Sequence, residues 1–122
     1  MAEISDLLGK VLKDIEVDYN YIIFKTTDGK TYRMYHSQNC CESVTIDDIC
    51  GDWQDLIGSP IIIAEMNTNY QPQTEKEKEK TNNADVYTWT FYKLATAKGY
   101  VDIKWFGESN GYYSTSVNFE QR

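Results

Sequence analysis

The stretch Tyr87-Thr88-Trp89-Thr90-Phe91-Tyr92-Lys93-Leu94-Ala95-Thr96-Ala97-Lys98-Gly99-Tyr100-Val101-Asp102-Ile103-Lys104-Trp105-Phe106 decides the fold. Two runs rich in β-branched and aromatic residues flank Ala97-Lys98-Gly99, and each alternates with period two, the repeat of a strand rather than of a helix. In the first, Tyr87, Trp89 and Phe91 share a face opposite Thr88, Thr90 and Tyr92. In the second, Val101, Ile103 and Trp105 oppose Asp102, Lys104 and Phe106, so one side suits a core and the other the surface. The two runs read as a hairpin.

Toward the C-terminus, Trp105-Phe106-Gly107-Glu108-Ser109-Asn110-Gly111-Tyr112-Tyr113-Ser114 reads as a turn between that strand and a last one over Tyr112 to Phe119. Asn110-Gly111 is a strong hairpin signal, because both residues tolerate the positive φ that a two-residue turn requires. If Val101, Ile103 and Trp105 face the core, Lys104, Phe106, Tyr112 and Ser114 lie together on the opposite face.

Toward the N-terminus the same period marks strands at Val11 to Val17, Tyr19 to Thr26 and Thr31 to Ser37, with Thr27-Asp28-Gly29-Lys30 as a turn. In the third, Tyr32, Met34 and His36 share one face and Arg33 and Tyr35 the other. Val44-Thr45-Ile46 is a short strand. Asp47 then opens a turn of helix that Gly51 ends, and Asp52 begins a second, with Trp53, Leu56 and Ile57 on one apolar face until Gly58 and Pro60. Pro60 to Thr68 returns to strand, its Ile61-Ile62-Ile63 run suggesting a buried central position. Residues 71–83, with Glu75-Lys76-Glu77-Lys78-Glu79-Lys80 and no aliphatic side chain, read as an exposed charged loop. The expectation is a mainly β (α+β) single domain over residues 1–122, an antiparallel sheet of about seven strands with one or two short helices.

The 122 residues, 41% apolar and 14% aromatic, are enough for one packed core. The 19 acidic and 12 basic residues leave a net charge of −7, which repels DNA and RNA polymers over long range. A small anion is still admissible, because one or two local cations hold a phosphate. Met1 to Lys10 lacks a basic segment followed by an apolar run, and Ile61-Ile62-Ile63-Ala64 is too short to span a bilayer, so a soluble intracellular protein is expected.

Cys40, Cys41 and Cys50 are odd in number and include a vicinal pair, which argues against a disulfide framework. With His36 they spell H-x3-C-C-x8-C, a set of soft zinc ligands, but without the paired C-x2-C knuckles of zinc ribbons. The reading as small packing residues is preferred, and neither a metal nor a cofactor is expected. A hydrolase would have to use His36 with Cys41 or Asp47, and no glycine-flanked nucleophile or glycine-rich phosphate loop accompanies them.

What remains is a binding face: Lys104 between aromatic rings suits a ligand that has a heterocycle and a phosphate, while an outer sheet face or subunit interface uses the same residues. Two blocks, Tyr35-His36-Ser37-Gln38-Asn39-Cys40-Cys41-Glu42-Ser43-Val44 and Thr88-Trp89-Thr90-Phe91-Tyr92 through Gly99-Tyr100-Val101 to Trp105–Ser114, resemble the phage and prophage family of Thoeris anti-defence protein one. With Gly51-Asp52 and Gly58-Ser59-Pro60, the resemblance covers nearly all of the chain outside the charged loop. It implies a non-enzymatic sponge that sequesters the cyclic ADP-ribose isomers made by TIR-domain immune proteins, keeping Thoeris effectors off. It further implies a homo-oligomer, a dimer or assembly of dimers, with pockets between subunits in the host bacterial cytoplasm, and for some members uptake of cyclic dinucleotides at a separate site.

The ligand-binding residues expected on this combined reading are Arg33, His36, Lys104, Phe106, Ser109, Asn110 and Tyr112. Lys104 stands where relatives are expected to carry arginine, and this chain has only Arg33 and Arg122. The alternatives are a hydrolase of the same signal and a phage protein that binds a host protein through its aromatic face.

Overall fold

The computed structural model describes residues 2–37, 42–69, 86–109 and 115–122, with the backbone alone for Asn69, Val86 and Ser109. The architecture is mainly β. Among the described residues, eight antiparallel strands form two four-stranded sheets: β1 (Leu12–Val17), β2 (Tyr21–Thr26), β3 (Thr31–Tyr35), β4 (Ser43–Cys50), β5 (Ile63–Asn69), β6 (Val86–Thr96), β7 (Gly99–Ser109) and β8 (Asn118–Gln121). The first sheet has the order β1-β2-β3-β8 and the second β4-β7-β6-β5. The chain crosses from the first sheet to the second after β3 and returns after β7.

Alternation places the core between the sheets. Ile22, Phe24, Tyr32, Met34 and Phe119 of the first sheet meet Val44, Leu94, Val101, Ile103 and Trp105 of the second in one buried cluster. Trp105 donates its indole N–H to the Met34 sulfur at 3.2 Å, a direct link across the two sheets. Phe119 stacks on Tyr32 with ring centroids 5.6 Å apart. A 3-10 turn over Ile4–Leu7 buries Ile4 and Leu7 against this core, and Asp6 accepts from the Glu3 N–H at 3.0 Å. That turn has no counterpart in the expected strands.

The β6–β7 hairpin forms as expected, with Thr96 paired to Gly99. At the Thr27-Asp28-Gly29-Lys30 turn, Gly29 takes φ +87°, and the Thr26 hydroxyl donates to Asp28 and accepts from the Lys30 N–H.

Four expectations are corrected. Asp47–Cys50 is strand rather than helix, because Asp48, Ile49 and Cys50 pair with Lys104, Ile103 and Asp102, and Asp47 is the extra residue of a bulge. The second expected turn does form, as a 3-10 turn over Trp53–Leu56 whose Asp52 side chain accepts from the Gln54 N–H. The triple isoleucine leads into an edge strand instead of a central one: Ile61 is buried, but Ile62 is 60% exposed. The strand expected over Tyr112 to Phe119 begins, among the described residues, at Asn118, and it pairs with β3. The hairpin expected between β7 and the last strand is not made by the described strands, since β7 pairs with β4 and β6 while β8 pairs with β3, and Asn110 to Ser114 lie outside the described residues. The charged loop expected at 71–83 lies outside the described residues.

Candidate functional site

The strand register of the second sheet lays out its outer face as rows. Cys50, Asp102, Lys93 and Glu65 form one row, and Asp48, Lys104, Phe91 and Asn67 the next. Thr45, Phe106 and Trp89 follow, then Ser43, Glu108 and Tyr87. The face thus divides into a charged belt and an aromatic patch, which meet at the cross-strand pair Phe91 and Lys104. A groove of about 450 Å³ crosses all four strands over the charged belt, lined by Phe91, Lys93, Lys104, Asp48, Asp102, Glu65 and their neighbours. Its volume falls in the range of small-molecule sites.

In the aromatic patch, the Trp89 and Phe106 rings lie 5.1 Å apart and Tyr87 meets Trp89 edge-on at 5.4 Å. Trp89 is fully buried although it points away from the core, and among the described residues its indole N–H has no hydrogen-bond partner. The bulge brings the Asp47 carboxylate within 3.5 Å of the Lys104 ammonium. At the far end of the belt, Lys93 sits 5.9 Å from the centre of the exposed Tyr100 ring. The Cys50 thiol donates to Asp48 at 3.5 Å, and that hydrogen bond, with the carboxylate's charge, raises its pKa above the ordinary thiol value.

Of the expected ligand-binding residues, Lys104 and Phe106 come together on this face. Arg33 does not join them: β3 turns it to the outer face of the opposite sheet, where it lies 3.7 Å over the Tyr35 ring and 2.9 Å from Glu120. Tyr35 donates its hydroxyl to the same carboxylate at 3.1 Å. His36 points inward between the sheets, its Nε2 2.9 Å from a Glu42 oxygen and its Nδ1 2.6 Å from the Ser116 carbonyl. Ser109 ends β7, paired through its backbone with Val86. Asn110 and Tyr112, like Cys40 and Cys41, lie outside the described residues.

Of the expected hydrolase and zinc constellations, the described members Asp47 and Cys50 lie apart from His36, while Cys40 and Cys41 lie outside the described residues. Asp47 neighbours Lys104, not His36. Glu42 precedes β4 and Cys50 ends it, so the eight-residue strand holds Cys50 about 25 Å from the His36 end. Among the described residues no three His, Cys, Asp or Glu side chains converge on one point.

Residues 5–119 match the family described as Domain of unknown function (DUF7448). The chain belongs to the DUF7448 family. No curated protein and no solved structure matches it. Among the described residues of this DUF7448 domain, no helix is long and apolar enough to cross a membrane.

Phe91, Lys93 and the paired rings of Trp89 and Tyr87 were absent from the sequence-derived site. Their shared face was visible in the alternation of residues 86–96, but not the direction in which it points. An aromatic face on a central strand ordinarily marks the core, and here the threonine-containing face takes that place.

Proposed function

We propose that this DUF7448 protein binds and holds a cyclic ADP-ribose isomer without cleaving it. The observation that carries the reading is the join between the aromatic patch and the charged belt at Phe91 and Lys104, beside a groove of ligand size. Adenine needs a stacking face, worth about 1–3 kcal/mol per base, and a pyrophosphate needs a cation. Phe91 and Phe106 offer the one, and Lys93 and Lys104 the other.

His36 supports retention over cleavage. Both of its ring nitrogens are already engaged, by Ser116 and Glu42, so the imidazole has no nitrogen left to activate a nucleophile. The groove is open along the sheet face, whereas tight capture favours a recessed site, and a second copy laid across it is the simplest closure. Because Arg33 lies on the opposite face of its own chain, it reaches a ligand at Lys104 only from another subunit. In this reading the protein acts as a homo-oligomer in the host bacterial cytoplasm and quenches the signal of TIR-domain immunity.

The test is retention followed by release. Purified protein is incubated with the product of an activated TIR enzyme, separated, heat-denatured, and the released material analysed by mass spectrometry. Intact cyclic ADP-ribose isomer supports the proposal. A converted product favours hydrolysis, and no retention favours a protein partner; either outcome overturns it.

A further inference from the structure

The inner face of β6 carries hydroxyls at one end. Thr88 and Thr90 face inward, opposite the side that holds Tyr87, Trp89 and Phe91, and Thr68 of β5 lies across from Thr90. Farther along the same inner face, Tyr92, Leu94 and Ala64 belong to the buried apolar cluster together with Ile4 and Leu7. The interior of the sandwich therefore changes along β6 from apolar to hydroxyl-lined. Met66, which alternation puts on the Ala64 side of β5, is 56% exposed, so the change falls where this edge of the sandwich is open.

A cavity of about 210 Å³ occupies that end, with Met66, Thr68, Thr88, Thr90, Thr115 and Val117 in its wall. Among the described residues that line it, none is charged. The hydroxyls of Thr88 and Thr115 share one hydrogen bond at 2.7 Å. Only one of their two hydrogens lies between the oxygens, and the other finds no acceptor among the described residues. Thr90 is 4% exposed, and among the described residues its hydroxyl has no hydrogen-bond partner either. Two hydroxyl hydrogens are thus left without acceptors on a wall of all but buried threonines, an arrangement that folded proteins rarely keep empty.

We propose that this cavity is a binding site for a small uncharged amide. A carbonyl oxygen has two lone pairs and accepts both of the remaining hydrogens, while the amide N–H donates to a lone pair of a threonine hydroxyl. The apolar part of the molecule packs on the Met66 thioether, Val117 and the threonine methyl groups. An ion does not suit the site, because the wall offers no opposite charge to offset its desolvation. The volume is smaller than the roughly 300–1,000 Å³ of a drug-sized pocket, which restricts the occupant to a compact molecule. Water satisfies the hydroxyls but gains nothing from the methyl groups, so a ligand with an apolar body displaces it. The site does not depend on the ligand reading of the outer groove, since it lies on the opposite face of β5 and β6.

The probe is 2-pyrrolidinone, a five-membered cyclic amide, titrated into the full-length protein while the methyl resonances of Met66 and Val117 are followed by NMR. In the wild type these shifts saturate, with a Kd of about a millimolar, as suits so small a molecule. Thr90→Val keeps the shape of the wall and removes the hydroxyl, and it weakens binding about three- to tenfold, the scale of one neutral hydrogen bond. Thr90→Ser, which keeps the hydroxyl, binds more tightly than Thr90→Val. A comparison that needs no variant uses tetrahydrofuran, a ring of the same size without the carbonyl and the N–H, which binds the wild type several times more weakly than the amide. Shifts that rise without saturating overturn the proposal and leave the cavity to water. Equal binding of the amide by wild type and Thr90→Val, or of the amide and tetrahydrofuran by the wild type, overturns it too, because the hydroxyls then play no part.

Discussion

Gly107 lies directly beneath Thr115: a Cβ on Gly107 would stand 2.9 Å from Thr115 Cβ and 3.0 Å from its carbonyl oxygen. The return crossover is thus pressed onto the inner face of β7, and the Thr88 hydroxyl holds it there through a 2.7 Å hydrogen bond to Thr115. Gly107 is needed for space, not for an unusual φ. Gly107→Ala lowers stability by about 1–3 kcal/mol, as overpacking of a tight contact does. Chemical denaturation measures it, and an unchanged midpoint would show that the crossover moves aside freely.

The bond from the Trp105 indole to the Met34 sulfur joins the sheets at their centre, and both residues are fully buried. Met34→Leu keeps the volume but leaves the indole N–H without its acceptor, a loss of about 1–3 kcal/mol. In a Trp105→Phe background, which has no N–H to strand, the same change costs less than about 0.5 kcal/mol. Equal costs in both backgrounds would mean that the sulfur only fills space.

These residues also show what the sequence discloses. Trp105 and Met34 follow from alternation alone, since period two puts each on an apolar face. The inward direction of His36 follows from the same rule, but its bond to Glu42 does not, because it depends on how the crossover folds back. Alternation likewise separates Lys104 from Trp105 without saying which strand lies beside Lys104. Asn110-Gly111 suggested a hairpin because local turn propensity is legible, whereas the pairing of β8 with β3 is set by a core that local sequence does not encode. The Asp47 bulge is hidden for the same reason: Asp at the start of a short segment resembles a helix cap until its neighbours pair with β7.

Lys10 and Asp28 form an exposed ion pair at 2.8 Å. The Lys10 hydrogen bond, then that of Thr26, lowers the Asp28 pKa to about 2 from an ordinary 3.8. Asp28 raises the Lys10 pKa above 10.5, chiefly through the same bond. The carboxylate's contribution to stability is therefore complete above pH 3.8 and lost as pH falls through about 2. The lysine's is complete below pH 10.5 and lost as pH rises through its raised value. Thermal melts should show Asp28→Asn below the wild type at neutral pH, with the gap closing in acid; a gap that persists below pH 2 contradicts the linkage.

The Asp48 carboxylate holds the Cys50 proton in place, so the thiol, though exposed, carries little thiolate near neutrality. Asp48→Asn removes the charge and accelerates iodoacetamide alkylation at Cys50 severalfold at neutral pH, read by peptide mass spectrometry so that Cys40 and Cys41 are scored apart. Alkylation no faster in the variant would show that the Asp48 charge does not hold the proton on the thiol.

Binding at the groove makes opposite demands on Lys104 and Asp47. If Lys104 meets a phosphate, Asp47 competes for the same ammonium from 3.5 Å, and the bound state must divide the cation between two anions. Lys104→Gln removes the attraction and weakens binding of the cyclic ADP-ribose isomer by roughly tenfold or more, the scale of one hydrogen bond to a charged group. Asp47→Asn removes the competitor and strengthens it. Phe91→Ala takes away a stacking face and weakens it about ten- to a hundredfold, with little dependence on salt, whereas the Lys104 effect shrinks as salt screens the charge. Calorimetric titration at two ionic strengths distinguishes these effects. Weaker binding by Asp47→Asn would place the ligand away from Lys104, because a phosphate on that ammonium gains from the loss of its neighbouring carboxylate.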